Sequence, residues 1–206
     1  MNNQPKYETK TEALEAYKQY IISHIKHVKE TFLEYGSDLI TLVTSTRSSN
    51  NPINHTSLYN TILSNIEIHD QSKFSPEEFE PYAARFYPWK DISSSYTSKQ
   101  IRTNFTNAWV HHYSINKHHP EYWKHHSKSQ NFDSNEIPNE YFVEMLCDWV
   151  GVSKTIQGSV YEWWNGVGDS VKYCGKKEKE KILNKKDMEL CEIFVNKYKE
   201  QFDFKK

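Results

Sequence analysis

Between Thr11 and Tyr35, the residues Leu14, Tyr17, Ile21, Ile25, Val28 and Phe32 recur at steps of three and four. That spacing gathers side chains on one face of an α-helix. The same rhythm returns in Ser57 to Asp70, through Leu58, Ile62 and Ile66, and in Asn139 to Gln157, through Phe142, Met145, Leu146, Trp149 and Val152. A half-buried strand needs alternation at every second residue, and no segment shows it convincingly. Only 6 Gly and 7 Pro occur in 206 residues, which argues against a turn-dense β protein and against a Gly-rich phosphate loop. The expected fold class is all-α: a single-domain helical bundle over residues 11–206, behind a flexible polar stretch at 1–10.

Local signals set the expected boundaries. Gly36 reads as the end of the first helix, and Asp38 to Val43 as a short separate one. Thr44 to Pro52, rich in Ser and Asn, reads as a loop. Ser75-Pro76-Glu77-Glu78 resembles a helix start, with a Ser cap, Pro in the first turn and acids that suit the helix dipole, leading to about Tyr87. Asp91 to Ser98 reads as a polar loop, and Lys99 to Asn116 as a long helix. His118 to Pro138 reads as irregular, apart from one turn near His119. A short helix at Tyr161 to Asn165 and a charged one from Lys185 to Gln201 complete the expectation.

Composition narrows the function classes. The formal net charge is −1, so no global field draws nucleic acid or an anionic membrane. The Lys-rich stretch Lys176 to Lys186 is interrupted by Glu178 and Glu180, the pattern of a solvated face. No segment has the apolar length to span a bilayer. Three widely spaced cysteines, Cys147, Cys174 and Cys191, fit a reduced, cytoplasmic setting better than a disulfide framework.

Ten histidines in 206 residues is high, and most fall in blocks with acids nearby. The blocks are Ser23-His24-Ile25-Lys26-His27, Ile68-His69-Asp70-Gln71-Ser72-Lys73-Phe74, Trp109-Val110-His111-His112 followed by Asn116-Lys117-His118-His119, and Glu144-Met145-Leu146-Cys147-Asp148-Trp149. An ionised Asp among apolar residues, such as Asp148, is costly to bury unless it is paired or bound to metal. His24 lies one turn from both Ile21 and Val28, nearer the apolar stripe than His27, and is preferred over it. His112 and His119, like His111 and His118, are seven apart and share a face if the helix persists. His55, His125 and His126 read as solvated. Imidazoles with carboxylates suit Mn, Fe, Co, Ni or Zn better than Ca, with Mg possible, and no close Cys pair suggests a zinc finger.

This order of blocks resembles the HD superfamily of helical metal-dependent proteins. Within it, the chain is similar to a small uncharacterised family from bacteria and phages. The resemblance runs from about Tyr20 to Trp164 and adds Glu78-Phe79, Pro81-Tyr82 and Ala108-Trp109 to the residues above. It implies that His24, His69, Asp70 and Asp148 hold one metal. His112, with His118, His119 or both, would hold a second, and Asp70 would bridge. Superfamily nucleotidases often carry a Glu three residues after the paired Asp, and Lys73 stands there in this chain.

The function expected from these residues is a metal-dependent phosphohydrolase acting on a nucleotide or another small phosphoester, in a bacterial or phage-infected cell. Asp70 is expected to act at the reacting centre, Lys73 to bind phosphate, and Glu78 or Glu144 to act as general base or to orient a ligating His. The alternatives are an oxygenase with two irons and a metal-containing binding protein without catalysis.

Overall fold

The computed structural model describes residues 6–47, 53–126, 137–168 and 174–205. The regular structure of these residues is helical: α1 (Lys10–Thr46), α2 (His55–Glu67), a 3-10 turn at Gln71–Phe74, α3 (Phe79–Phe86), α4 (Ile92–Ser95), α5 (Ser98–Ile115), α6 (Pro120–His126), α7 (Asn139–Thr155), α8 (Val160–Asn165), α9 (Gly175–Lys179) and α10 (Lys185–Lys197). Two isolated bridges, Tyr7 with Trp89 and Ser159 with Asp203, are the β-type pairings among the described residues. The protein is all-α, as its apolar periodicity implies. No described helix is long and apolar enough to cross a membrane.

Helix α1 runs straight through Gly36, where a stop was expected. The stripe of Ala13, Tyr17, Ile21, Val28 and Phe32 continues as Leu39, Ile40 and Val43, all buried. A Cβ on Gly36 would lie 2.6 Å from the Phe32 ring, so the glycine makes room for that ring one turn away. Hence Asp38 to Val43 belongs to α1, and so does the start of the expected loop at Thr44.

The chain folds into two compact units, divided between Ser23 and His24, His69 and Asp70, and Asn116 and Lys117. Unit 1 holds residues 1–23 and 70–116. Its core joins Ala13, Ala84 and Trp89 with Tyr7, Tyr87, Ile92 and Tyr96, while Tyr17 stacks on Tyr82. Helix α5 starts with a full capping box between Thr97 and Gln100. Helix α3 begins at Phe79 rather than at Pro76, because the carbonyl of Ser75 first closes a turn onto the amides of Glu78 and Phe79. The expected loop at Asp91 to Ser98 contains the single turn α4. In the N-terminal stretch expected to be flexible, Lys6 and Tyr7 are tied by backbone hydrogen bonds to Pro88 and Lys90.

Unit 2 holds residues 24–69 and 117–206. Its centre is α7, buried from Phe142 to Gly151 with little interruption. A helix buried on all sides normally carries apolar residues all round. This one carries Glu144 and Asp148, one turn apart on the same face. Gly151 lets α1 approach closely: a Cβ there would fall 2.5 Å from Val28 Cγ2 and 3.1 Å from the Val28 backbone nitrogen. Helix α6 occupies Pro120 to His126, within the segment expected to be irregular, and the rest of that expectation, 127–136, lies outside the described residues.

Candidate metal centre

The α1–α7 approach at Val28 and Gly151 sets the geometry one turn away, at His24 and Asp148. His24 is fully buried, and its Nε2 lies 3.0 Å from Asp148 Oδ1. His69, just beyond the end of α2, brings its Nε2 to 3.5 Å from the same oxygen and 3.4 Å from His24 Nε2. Three donor atoms on three separate segments thus form a triangle with edges of 3.0–3.5 Å. An ion with bonds of about 2.0–2.2 Å holds adjacent donors roughly 2.8–3.6 Å apart in octahedral or tetrahedral geometry. The donor set could therefore hold a metal ion.

The proton inventory points the same way. His69 Nδ1 lies 2.9 Å from Glu144 Oε1, and His118 Nδ1 lies 3.2 Å from that oxygen. An ionised carboxylate only accepts, so each ring donates from Nδ1. A neutral His69 then has a lone pair on Nε2, facing both Asp148 and His24. Lone pairs directed at a carboxylate oxygen repel unless a proton or a metal cation lies between them. Burial pushes the Glu144 carboxyl up, but hydrogen bonds from His118 and His69 outweigh it and hold the group at about 2. Burial likewise raises Asp148, and His24 and His69 overcome it, leaving the carboxyl well below the usual range. Both acids are ionised at neutral pH and concentrate negative charge among imidazoles.

Unit 1 carries a related arrangement. Asp70 adopts a left-handed backbone conformation, φ 56°, which opens the turn Gln71–Phe74. Its Oδ2 is held by Lys73 Nζ at 2.5 Å, and its Oδ1 lies 3.3 Å from His112 Nε2. Glu78, fully buried, accepts from His112 Nδ1 at 2.8 Å and from His111 Nδ1 at 2.7 Å. Burial raises the Glu78 carboxyl, and the hydrogen bonds from His112, His111 and Ser72 bring it below its ordinary value. The Asn116 amide donates to Ser72 Oγ and to the His112 carbonyl, both at 2.8 Å, and so ties the end of α5 to the turn.

Residues 13–196 match the model of a family of unknown function, DUF5662. The chain belongs to this family. No curated protein and no solved structure matches it. In this DUF5662 protein both clusters lie inside the matched segment.

Of the residues singled out in the DUF5662 sequence, unit 2 brings together His24, His69, His118, Glu144 and Asp148. Unit 1 brings together Asp70, Lys73, Glu78 and His112. His27 lies outside the cluster, with its Nδ1 2.9 Å from Thr155 Oγ1. His119 is half-buried beside His118, ring centres 4.3 Å apart, and its Nδ1 is 3.9 Å from Glu121. The seven-residue spacing linking His111 with His118 and His112 with His119 does not act through a helix. Helix α5 ends at Ile115, and Asn116 is extended. His111 was missed as a partner of Glu78, although the tandem His111-His112 was a visible signal. Trp149 and Trp164 pack with Trp163 in the core of unit 2. Along the Lys-rich stretch, Lys176, Lys179 and Lys181 pair with Glu192, Glu121 and Glu178.

Proposed function

We propose that this protein is a metal-dependent phosphohydrolase of the HD type, acting on a nucleotide or another small phosphoester. The observation that carries the reading is the buried triangle of His24, His69 and Asp148, whose donor atoms lie 3.0–3.5 Å apart. The resemblance of the sequence blocks to the HD superfamily supports the same reading. A bound Mn, Fe, Co, Ni or Zn ion, or Mg, supplies a water of lowered pKa and a Lewis acid for a phosphoryl oxygen. His24, His69 and Asp148 would hold it, and His118 adds a further imidazole on the Glu144 side. Asp70 and His112 form a second carboxylate–imidazole donor pair in unit 1. Lys73, already beside Asp70, would offer its ammonium to phosphate as a point charge. The free cysteines accord with a cytoplasmic setting.

The test is elemental analysis of the purified protein, followed by hydrolysis of a nucleotide and phosphoester panel with Mn, Co, Ni or Mg. Turnover that disappears in Asp148→Ala supports the reading. Coloured protein with two irons would redirect it to an oxygenase. Bound metal without turnover on any substrate would redirect it to a binding protein.

A further inference from the structure

A glutamate at a histidine-rich centre can serve as general base, as metal ligand, or as a support for the rings. The hydrogen-bond pattern separates these roles. Glu144 Oε1 receives two imidazole Nδ1 atoms at once, His69 at 2.9 Å and His118 at 3.2 Å. The two rings lie with centres 4.3 Å apart. Glu78 repeats the device in unit 1 with one oxygen per ring, His111 on Oε1 and His112 on Oε2. Both glutamates are buried, and each serves a pair of imidazoles through Nδ1.

We propose that Glu144 is a positioning residue that locks His69 and His118 in the Nδ1–H tautomer, so that both rings present Nε2 as the donor atom, with Glu78 doing the same for His112. A carboxylate has no proton to give, so the tautomer of each ring is set before any ligand arrives. The support also fixes ring orientation and raises the basicity of the nitrogen that faces inward. Of the two roles expected for Glu144, general base and orienting a ligating His, the proposal selects the second. The inference rests on the metal reading above for its purpose, but the tautomer can be measured without metal.

The experiment uses the full chain with 15N-labelled histidine, metal-free and at neutral pH, as wild type and Glu144→Leu. Both rings use the same oxygen, Oε1, which a glutamine carbonyl would replace, whereas leucine offers neither ring an acceptor. Expected are Nδ1–H signatures for His69 and His118 in wild type, loss of that signature in at least one ring of the variant, and Zn affinity about 10–100-fold weaker by chelator competition. An Nε2–H tautomer at His69 or His118 in wild type overturns the inference, as does Glu144→Leu with undiminished Zn affinity. If the variant does not fold, the wild-type tautomers decide. Wild type that binds neither Zn nor Mn, yet shows both Nδ1–H signatures, refutes the metal reading and leaves the tautomer lock standing.

Discussion

Helices α1 and α7 pass close to each other at Val28 and Gly151, one turn from His24 and Asp148, so the sharpest perturbation is one methyl group at Gly151. In Gly151→Ala the new carbon would lie 2.5 Å from Val28 Cγ2, 3.1 Å from the Val28 nitrogen and 3.3 Å from its Cα. Carbon pairs are comfortable at about 3.5–4.0 Å, so contact with Cγ2 calls for roughly 1 Å of movement. A new Val28 rotamer can remove the first clash but not the two backbone ones, so the helices must separate by a few tenths of an ångström at least. Overpacking of this kind costs about 1–3 kcal/mol, and for a chain of this size that lowers Tm by roughly 2–12 °C. His24 lies one turn before Val28, and Asp148 three residues before Gly151. The separation therefore widens the 3.0 Å His24–Asp148 pair directly. Metal sites tolerate about ±0.2 Å in bond length, so Mn or Zn affinity should fall by at least about tenfold. The assay is thermal unfolding with and without metal, combined with chelator competition. Adding Val28→Ala removes the worst contact and should recover part of the affinity. Gly151→Ala with wild-type Tm and wild-type metal affinity would refute the claim that this approach sets the donor triangle.

Four further outcomes follow from the geometry. Arg47 Nη2 meets the buried Asp187 at 2.5 Å while its Nη1 donates to the Ile137 carbonyl; Arg47→Met breaks a buried pair and should cost about 3–5 kcal/mol, with part of the loss recovered in Arg47→Met/Asp187→Leu by denaturant titration. Asp148→Ala removes a carboxylate shared by two imidazoles, so elemental analysis should find less metal per chain. The Tyr82 hydroxyl is buried with no hydrogen-bond partner among the described residues, so Tyr82→Phe should match or exceed wild-type stability by up to about 1 kcal/mol, and a clear drop in Tm would show that the hydroxyl is engaged. Burial raises the Glu80 carboxyl but hydrogen bonds from Lys10 and Tyr96 lower it further. Its contribution is therefore present above the ordinary carboxylate range and lost as pH falls through the depressed value, and Glu80→Gln should flatten the Tm profile between about pH 5 and 3.

The helical class was legible because α1 and α7 carry their stripes over many turns, and His24 could be read onto the buried face from its spacing to Ile21 and Val28. The end of α1 was misread, because a glycine stops a helix only when the chain needs a left-handed turn there. At Gly36 the missing side chain instead accommodates the Phe32 ring. Glu78 was legible as an acid near a helix start, a place where acids usually face solvent to complement the dipole. Its burial depends on the tandem His111-His112 from α5, which local spacing does not reveal. His118 joins Glu144 although the helix carrying His111 and His112 ends before it. That pairing comes from tertiary folding of unit 2, beyond the reach of a periodicity argument.

The energetics of unit 2 explain why such a centre calls for a functional reading. Three imidazoles and two ionised carboxylates occupy positions that apolar side chains could fill. Each buried ion carries a desolvation penalty of several kcal/mol, and well-packed apolar replacements for buried ionic groups are often neutral or stabilising. Stability alone therefore gives no reason for Glu144 and Asp148 to share one face of the most buried helix. Hydrogen bonds from His69 and His118 offset the cost at Glu144. At Asp148 the offset must come from His24 and from the Nε2 of His69, a ring whose one neutral-state proton is already committed to Glu144. A second proton on His69 would balance the charge, and so would a divalent cation within the triangle. A cation would also draw His24, His69 and Asp148 toward a common point, and their 3.0–3.5 Å separations are compatible with one.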